Sequence, residues 1–164
     1  MRLKKLRSIL TVSLHNLDNL YRQTIMSYAQ YPHHFRPMLG QETYHIQKYN
    51  PICGDIIDLA FDIVDDKVTD IHFYGDGCVI SKASASMMSD LVSGKTRAQA
   101  TFLVTEFSKM MRGEAADVKS LGEPQILTGV TKFPARIKCA TLAWHALDEL
   151  LVIKDDRRCD DGNR

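Results

Sequence analysis

The 164-residue chain has almost no excess of charge of either sign, with 21 lysines and arginines against 20 aspartates and glutamates and a formal net charge of +1. Such a balance supplies no broad field to collect nucleic acid or anionic lipid, so neither is expected as a partner. Long apolar runs are also missing. Charges interrupt the best candidates well short of the roughly 18 to 20 residues that span a bilayer. Cysteine is scarce, and four in a chain of this length are too few for a disulfide scaffold. The basic segment Met1–Ser13 leads into an apolar stretch from Ile9 that is too short for a secretory leader and is followed by no small-residue cleavage site. Reduced thiols and a cytoplasmic location are therefore expected. No internal repeat is visible.

What is present suits one globular core: 45% of the residues are hydrophobic and 25% charged. The expected domain covers residues 14–153, after a disordered extension, 1–13, and before a polar, frayed tail, 154–164. From Leu14 to Tyr31, apolar residues recur at helical spacing, with Leu14, Leu17, Tyr21, Ile25 and Tyr28 on one stripe, and Pro32 stops the helix. A loop from Pro32 to Glu42 carries His33 and His34. The period then falls to two. Ile57, Leu59, Phe61 and Ile63 share a face, Asp65–Lys67 forms a polar turn, and Val68–Tyr74 returns as the second arm of a hairpin. A third strand is expected near Thr43–Tyr49, and Gly75–Gly77 should break the sheet. Helices follow over Ile80–Ser93, stopped by Gly94, over Arg97–Met111, and from Pro134 to about Ile153, with a flexible charged stretch from Arg112 to about Glu123. Strands first and helices afterwards predict an α+β fold, a small antiparallel three-stranded sheet packed against helices.

Three cysteines stand at element boundaries. Cys53 lies in Asn50-Pro51-Ile52-Cys53-Gly54-Asp55 before the first hairpin arm, Cys78 follows Gly75-Asp76-Gly77 at a helix entry, and Cys139 lies one turn inside the last helix. Helix N-termini favour thiolate over thiol, the form that binds metal and attacks sulfur. Asp55 is two residues beyond Cys53, so an extended strand directs both side chains to one face. Three thiolates and one carboxylate would make a tetrahedral site of the kind zinc occupies. The spacing, C-x-D-x22-C-x60-C, contains no C-x2-C pair, and buried cysteine acting as core filler is the competing reading. Met87, Met88, Met110 and Met111 read as core, His33 and His34 as surface loop, and Cys159 as an incidental exposed thiol. Arg136 and Lys138 either face an acidic partner or Cys139, or belong to a solvated helix face.

At these residues the chain resembles a known family. NPICGD, GDGCVISKASASMM and FPARIKCATLAWHAL are similar to the three cysteine blocks of the IscU-like (NifU N-terminal-like) proteins of iron–sulfur cluster assembly, most closely the SufU type. The resemblance runs from Leu14 to about Leu151. Two departures separate the chain from classical scaffold members: Lys138 stands where those carry a histidine, and the interval between Cys78 and Cys139 is longer, with the extra length near Arg112–Glu123.

The resemblance implies a zinc-dependent sulfur acceptor in which Cys53 takes persulfide sulfur from a SufS-type cysteine desulfurase. Asp55, Cys78 and Cys139 are then the remaining zinc ligands. It further implies a ligand exchange in which a histidine of the desulfurase replaces Cys53 on zinc and frees its thiolate. Any pyridoxal phosphate belongs to that partner, and downstream Suf assembly proteins are candidate recipients of the sulfur. On this view the chain is a sulfurtransferase serving as co-substrate or activator, working as a monomer or weak homodimer. The alternatives are a scaffold that binds iron and holds a transient iron–sulfur cluster, and a domain in which zinc only stabilises the fold.

Overall fold

A computed structural model describes residues 18–160, with side chains described through residue 153. Helix α1 covers residues 18–30 and ends at the expected proline. Of its stripe, Ile25 and Tyr28 pack on the core whereas Tyr21 is 44% exposed, so the buried face is narrower than the periodicity suggests. Leu14, Leu17 and the extension 1–13 lie outside the described residues, as do residues 161–164 and the side chain of Cys159.

Three antiparallel strands follow in the spatial order β1-β2-β3, with β1 at Tyr44–Asn50, β2 at Asp55–Val64 and β3 at Lys67–Asp76. Val64 pairs with Lys67 across a two-residue turn in which Asp65 and Asp66 both have positive φ, the geometry whose twist matches the flanking strands. Ile57, Leu59 and Phe61 are buried on the predicted face. Strict alternation then fails, because the β2–β3 register shifts between Ala60 and Asp62 and Ala60 is buried as well. The loop after α1 is more tightly tied than expected. Arg36 N–H donates to the Phe73 carbonyl and Phe73 N–H to that of His34, which bridges Phe35 to the edge of β3.

Helices α2 (Val79–Val92), α3 (Arg97–Met111) and α4 (Pro134–Asp160) complete the predicted α+β architecture. Helix α4 contacts β1 and β2 on one side and α2 and α3 on the other. Trp144 stacks on Phe107 with ring centroids 4.0 Å apart, and Met87, Met88, Met110 and Met111 are all buried, as core filler should be. Buried serines let α2 and α4 approach closely. Ser84 Oγ donates to the Ala140 carbonyl at 2.6 Å and accepts from Trp144 Nε1 at 3.1 Å.

Three expectations need correction in whole or in part. The sheet ends within Gly75–Gly77 as expected, but only after β3 has run through Gly75 to Asp76, two residues past Tyr74. Part of the stretch after α3 folds into 3-10 segments, Val118–Leu121 and Glu123–Lys132, because Glu106 captures the Asp117 N–H at 2.6 Å and Leu121, Leu127 and Val130 are buried. Helix α4 continues past Ile153 to Asp160. Among the described residues, no helix is long and apolar enough to cross a membrane.

Candidate metal centre

Residues from three sequence-distant blocks meet at one end of the sheet. The β1–β2 connection carries Cys53, and Asp55 opens β2 with its side chain only 1% exposed. Opposite them is Cys139, fully buried in the first turns of α4. One donor atom from each of Cys53, Asp55 and Cys139 lies within 4.8 Å of the other two. The Sγ atoms of Cys53 and Cys139 are 2.9 Å apart, well beyond a disulfide bond, and all three described cysteines are free thiols. Cys78 stands beside the group without joining it at that distance. Its Sγ is used as the N-cap of α2, accepting the Ser81 N–H at 3.4 Å, while its own N–H donates to Asp55 Oδ1 at 2.8 Å. The predicted four residues therefore converge, three as a tight cluster and the fourth through the carboxylate they share.

Two glycines make this convergence possible. A Cβ at Gly75 (φ +139°) would come within 2.1 Å of the Ile56 carbonyl oxygen, so only glycine lets β3 pass the start of β2. At Gly77 a Cβ would press on Asp55 Oδ1 and Ser81 Oγ, both at 3.1 Å, and crowd the carboxylate.

The electrostatics differ across the cluster. Burial, followed by hydrogen bonds with Cys53, Asp55 and Cys78, pushes the Cys139 thiol well above the usual range. Cys53 is partly exposed, with the Arg136 guanidinium 3.9 Å from its sulfur. The Arg136 pKa is raised in return, through its hydrogen bond with Cys139 first and then through the charges of Cys78, Cys139 and Cys53. Lys138 points to the exposed surface. His33 and His34 do not reach the centre and instead clamp Asp90 at 2.6 and 3.0 Å.

Two soft sulfurs and a fixed, buried carboxylate within 4.8 Å of one another, with a third thiol adjacent, are a donor set that fits a borderline-soft divalent ion such as zinc.

A family model described as NifU-like N terminal domain matches residues 20–140. The chain belongs to this family. It is 45% identical over 141 residues, 85% of this chain and 87% of the relative, to a protein of Streptococcus pyogenes serotype M1 named iron–sulfur cluster assembly scaffold protein IscU. It is 46% identical over 135 residues, 82% of this chain and 90% of the relative, to the zinc-dependent sulfurtransferase SufU of Bacillus subtilis strain 168. Among solved structures, a protein of Fervidobacterium islandicum AW-1, proposed as an iron–sulfur cluster assembly scaffold for the SUF system, superposes with a TM-score of 0.70 at 32% identity. That match covers 78% of this chain and 93% of the other. The N-terminal part of a NifU-like protein from Brucella abortus, at 18% identity, shares the fold with a TM-score of 0.76, covering 86% of this chain and 98% of that one.

Within this member of the family, Asn50 is a site residue that pattern reading passed over. It is 3% exposed, and its Nδ2 donates to Asp55 Oδ2 at 3.3 Å and points at Cys139 Sγ at 3.7 Å, while its Oδ1 accepts the Ile52 N–H. One amide thus orients the carboxylate, the buried thiol and the loop that carries Cys53. Nothing in the sequence announces that the asparagine faces inward.

Proposed function

We propose that the chain is a zinc-dependent sulfur acceptor in iron–sulfur cluster assembly, with Cys53 as the residue that takes sulfur from the persulfide of a SufS-type cysteine desulfurase. The observation that carries this reading is the asymmetry of the cluster. Cys53 is its one partly exposed donor, beside Arg136, and the other two donors are buried. The name of the Bacillus subtilis relative supports the zinc and the sulfur transfer, and the SUF-system neighbour supports the partner.

Cys53, Asp55, Cys78 and Cys139 would hold the zinc, which keeps its thiol ligands deprotonated near neutral pH. Asn50 orients the carboxylate, and the Arg136 guanidinium stands 3.9 Å from the Cys53 sulfur as a hydrogen-bond donor. In the transfer, the Cys53 thiolate attacks the terminal sulfur of the partner's R–S–SH, a new Cys53 S–S bond forms, and the partner's R–S⁻ leaves. No net oxidation occurs, because the zero-valent sulfur only changes carrier.

The test is native mass spectrometry of the zinc-loaded protein incubated with a desulfurase and cysteine. A single sulfur added on Cys53, absent from Cys53→Ala, is the expected result. Full stimulation of the desulfurase by Cys53→Ala would overturn the relay.

A second reading, a scaffold for a transient iron–sulfur cluster, is favoured by the name of the Streptococcus relative and by a donor set that suits iron as well. Anaerobic reconstitution followed by visible absorption separates the two. With Lys138 in place, the zinc reading expects no stable cluster band.

A further inference from the structure

Asp62 stands seven residues beyond Asp55 on β2, roughly 23 Å along the strand at about 3.3 Å per residue, and lines a cavity unconnected with the cysteines. The cavity, of about 200 Å³, is bounded by Arg36, Glu42, Phe61, Asp62, Asp70 and His72. Three carboxylates there face one guanidinium, and Arg36 is already committed to Asp70 at 2.6 Å.

His72 is the residue that needs explaining. It is 3% exposed, lines this cavity, and its Nε2 has no hydrogen-bond partner. Asp62 Oδ1, also buried, has none either. Burying a polar atom without a partner is costly. Two such atoms on the wall of one polar cavity point to something that binds between them.

The other ring nitrogen indicates what that is. His72 Nδ1 lies 2.8 Å from the Asp70 carbonyl oxygen, which selects the tautomer with the proton on Nδ1 and leaves Nε2 as a bare lone pair. Arg36 Nη2 approaches the same Nδ1 at 3.0 Å, but the shorter contact is the one to the carbonyl, which can only accept, and it assigns the ring proton to Nδ1. An imidazole that donates one N–H to a backbone carbonyl and presents the other nitrogen outward is the usual preparation of a metal-ligating histidine.

Nε2 looks across 3.6 Å at Glu42 Oε1, on a carboxylate whose side chain is only 10% exposed and which is held by the Leu39 N–H. That gap is too long for a hydrogen bond. It is the separation that bonds of about 2.1 Å to nitrogen and to oxygen span at an angle of roughly 120°.

We propose that His72 Nε2 and Glu42 Oε1 form a second, exchangeable site for a divalent first-row transition metal ion, completed by water. Asp62 reaches the ion through that water, since among the described residues no third His, Cys, Asp or Glu donor lies close enough to bind directly alongside these two. The cavity has room for the water molecules such an ion retains. The all-nitrogen-and-oxygen donor set distinguishes the site from the cysteine centre, because it accepts manganese, which thiolates bind poorly.

Manganese is therefore the probe. Protein whose cysteine centre has been loaded with zinc is titrated with Mn²⁺, and the free aquo-ion signal is followed by electron paramagnetic resonance. One Mn²⁺ per chain is expected, with a nitrogen coupling in the spin-echo envelope that disappears in His72→Gln. His72→Gln and Glu42→Gln should each weaken binding by roughly tenfold or more. If His72→Gln fails to fold, Glu42→Gln alone decides the point. An unreduced free-ion signal with wild-type protein at about 1 mM Mn²⁺ would overturn the site. So would wild-type affinity in Glu42→Gln.

Discussion

Asp55 Oδ1 accepts the backbone N–H of Cys78 at 2.8 Å, which joins the first residue of β2 to the N-cap of α2. The bond is structural as well as a way of aiming a ligand, since the carboxylate is 1% exposed. Asp55→Ala leaves the half-buried Cys78 N–H without its acceptor and should cost the metal-free protein about 1 kcal/mol. Asp55→Asn keeps an acceptor oxygen and should recover most of that loss. Urea denaturation of the three proteins after chelation measures both. Equal destabilisation by the two variants would show that charge, and not the hydrogen bond, is what matters.

The cluster should also be chemically asymmetric. In metal-free protein, iodoacetamide should modify Cys53 first and Cys139 last, because Cys139 is fully buried while Cys53 opens to solvent. Arg136→Ala should slow Cys53, since the guanidinium stands 3.9 Å from its sulfur and donates to it. Peptide mapping by mass spectrometry gives the three rates. A Cys139 that reacts as fast as Cys53 would mean that α4 opens its first turn readily.

Removing the metal should loosen the fold. Binding free energy at a site assembled from three sequence-distant blocks is also folding free energy. Chelation should lower the melting temperature of the wild-type protein, and Cys78→Ala and Cys139→Ala should show little further loss on chelation because they have already lost the metal. Calorimetric scans with and without chelator check this. Identical wild-type scans would argue against an integral site.

The readable and unreadable parts of this chain divide along physical lines. The burial of Ile57, Leu59 and Phe61 and the stop at Pro32 come from local patterning, and both appear where patterning puts them. The meeting of Cys53, Asp55 and Cys139 was legible only through the resemblance of three blocks, because spacings of 22 and 60 residues carry no geometric information on their own. Asn50 and Glu106 were not legible. Each is a polar residue buried because long-range partners receive it, and a sequence does not display those partners. The 3-10 segments were hidden for the same reason. Their sparse apolar residues, Leu121, Leu127 and Val130, have no recognisable period and are ordered by what they pack against.

Glu106 gives a prediction in pH. Hydrogen bonds from Lys109 and then from the Asp117 N–H hold its carboxyl below the usual glutamate range. A pKa depressed in the folded state contributes stability above the unfolded pKa, near 4.3, and that contribution is lost as pH falls through the folded value. Wild-type stability should therefore fall as pH drops below about 4.3, and Glu106→Gln should flatten that part of the curve. Denaturant midpoints at a series of pH values, in constant salt, measure the slope. Parallel curves would mean that other carboxylates carry the acid sensitivity.

The tightest constraint on the metal centre is a residue with no side chain. A Cβ at Gly75 would sit 2.1 Å from the Ile56 carbonyl oxygen, and no rotation relieves a clash with backbone. Gly75→Ala must therefore push β3 away from the start of β2, and Asp55, the first residue of β2, and Cys78, two residues past the end of β3, lie directly beyond that crossing. Gly113 makes a fair control. It also has a positive φ, +72°, but nothing lies within 4 Å of its missing Cβ. Gly113→Ala should cost about 1 kcal/mol of backbone strain and keep its metal content. Gly75→Ala should cost about 2 kcal/mol or more and lose zinc affinity as well. Zinc content after dialysis, read beside the melting temperature, separates the two effects. A Gly75→Ala protein that is destabilised yet holds zinc as tightly as wild type would show that the centre assembles independently of this strand crossing.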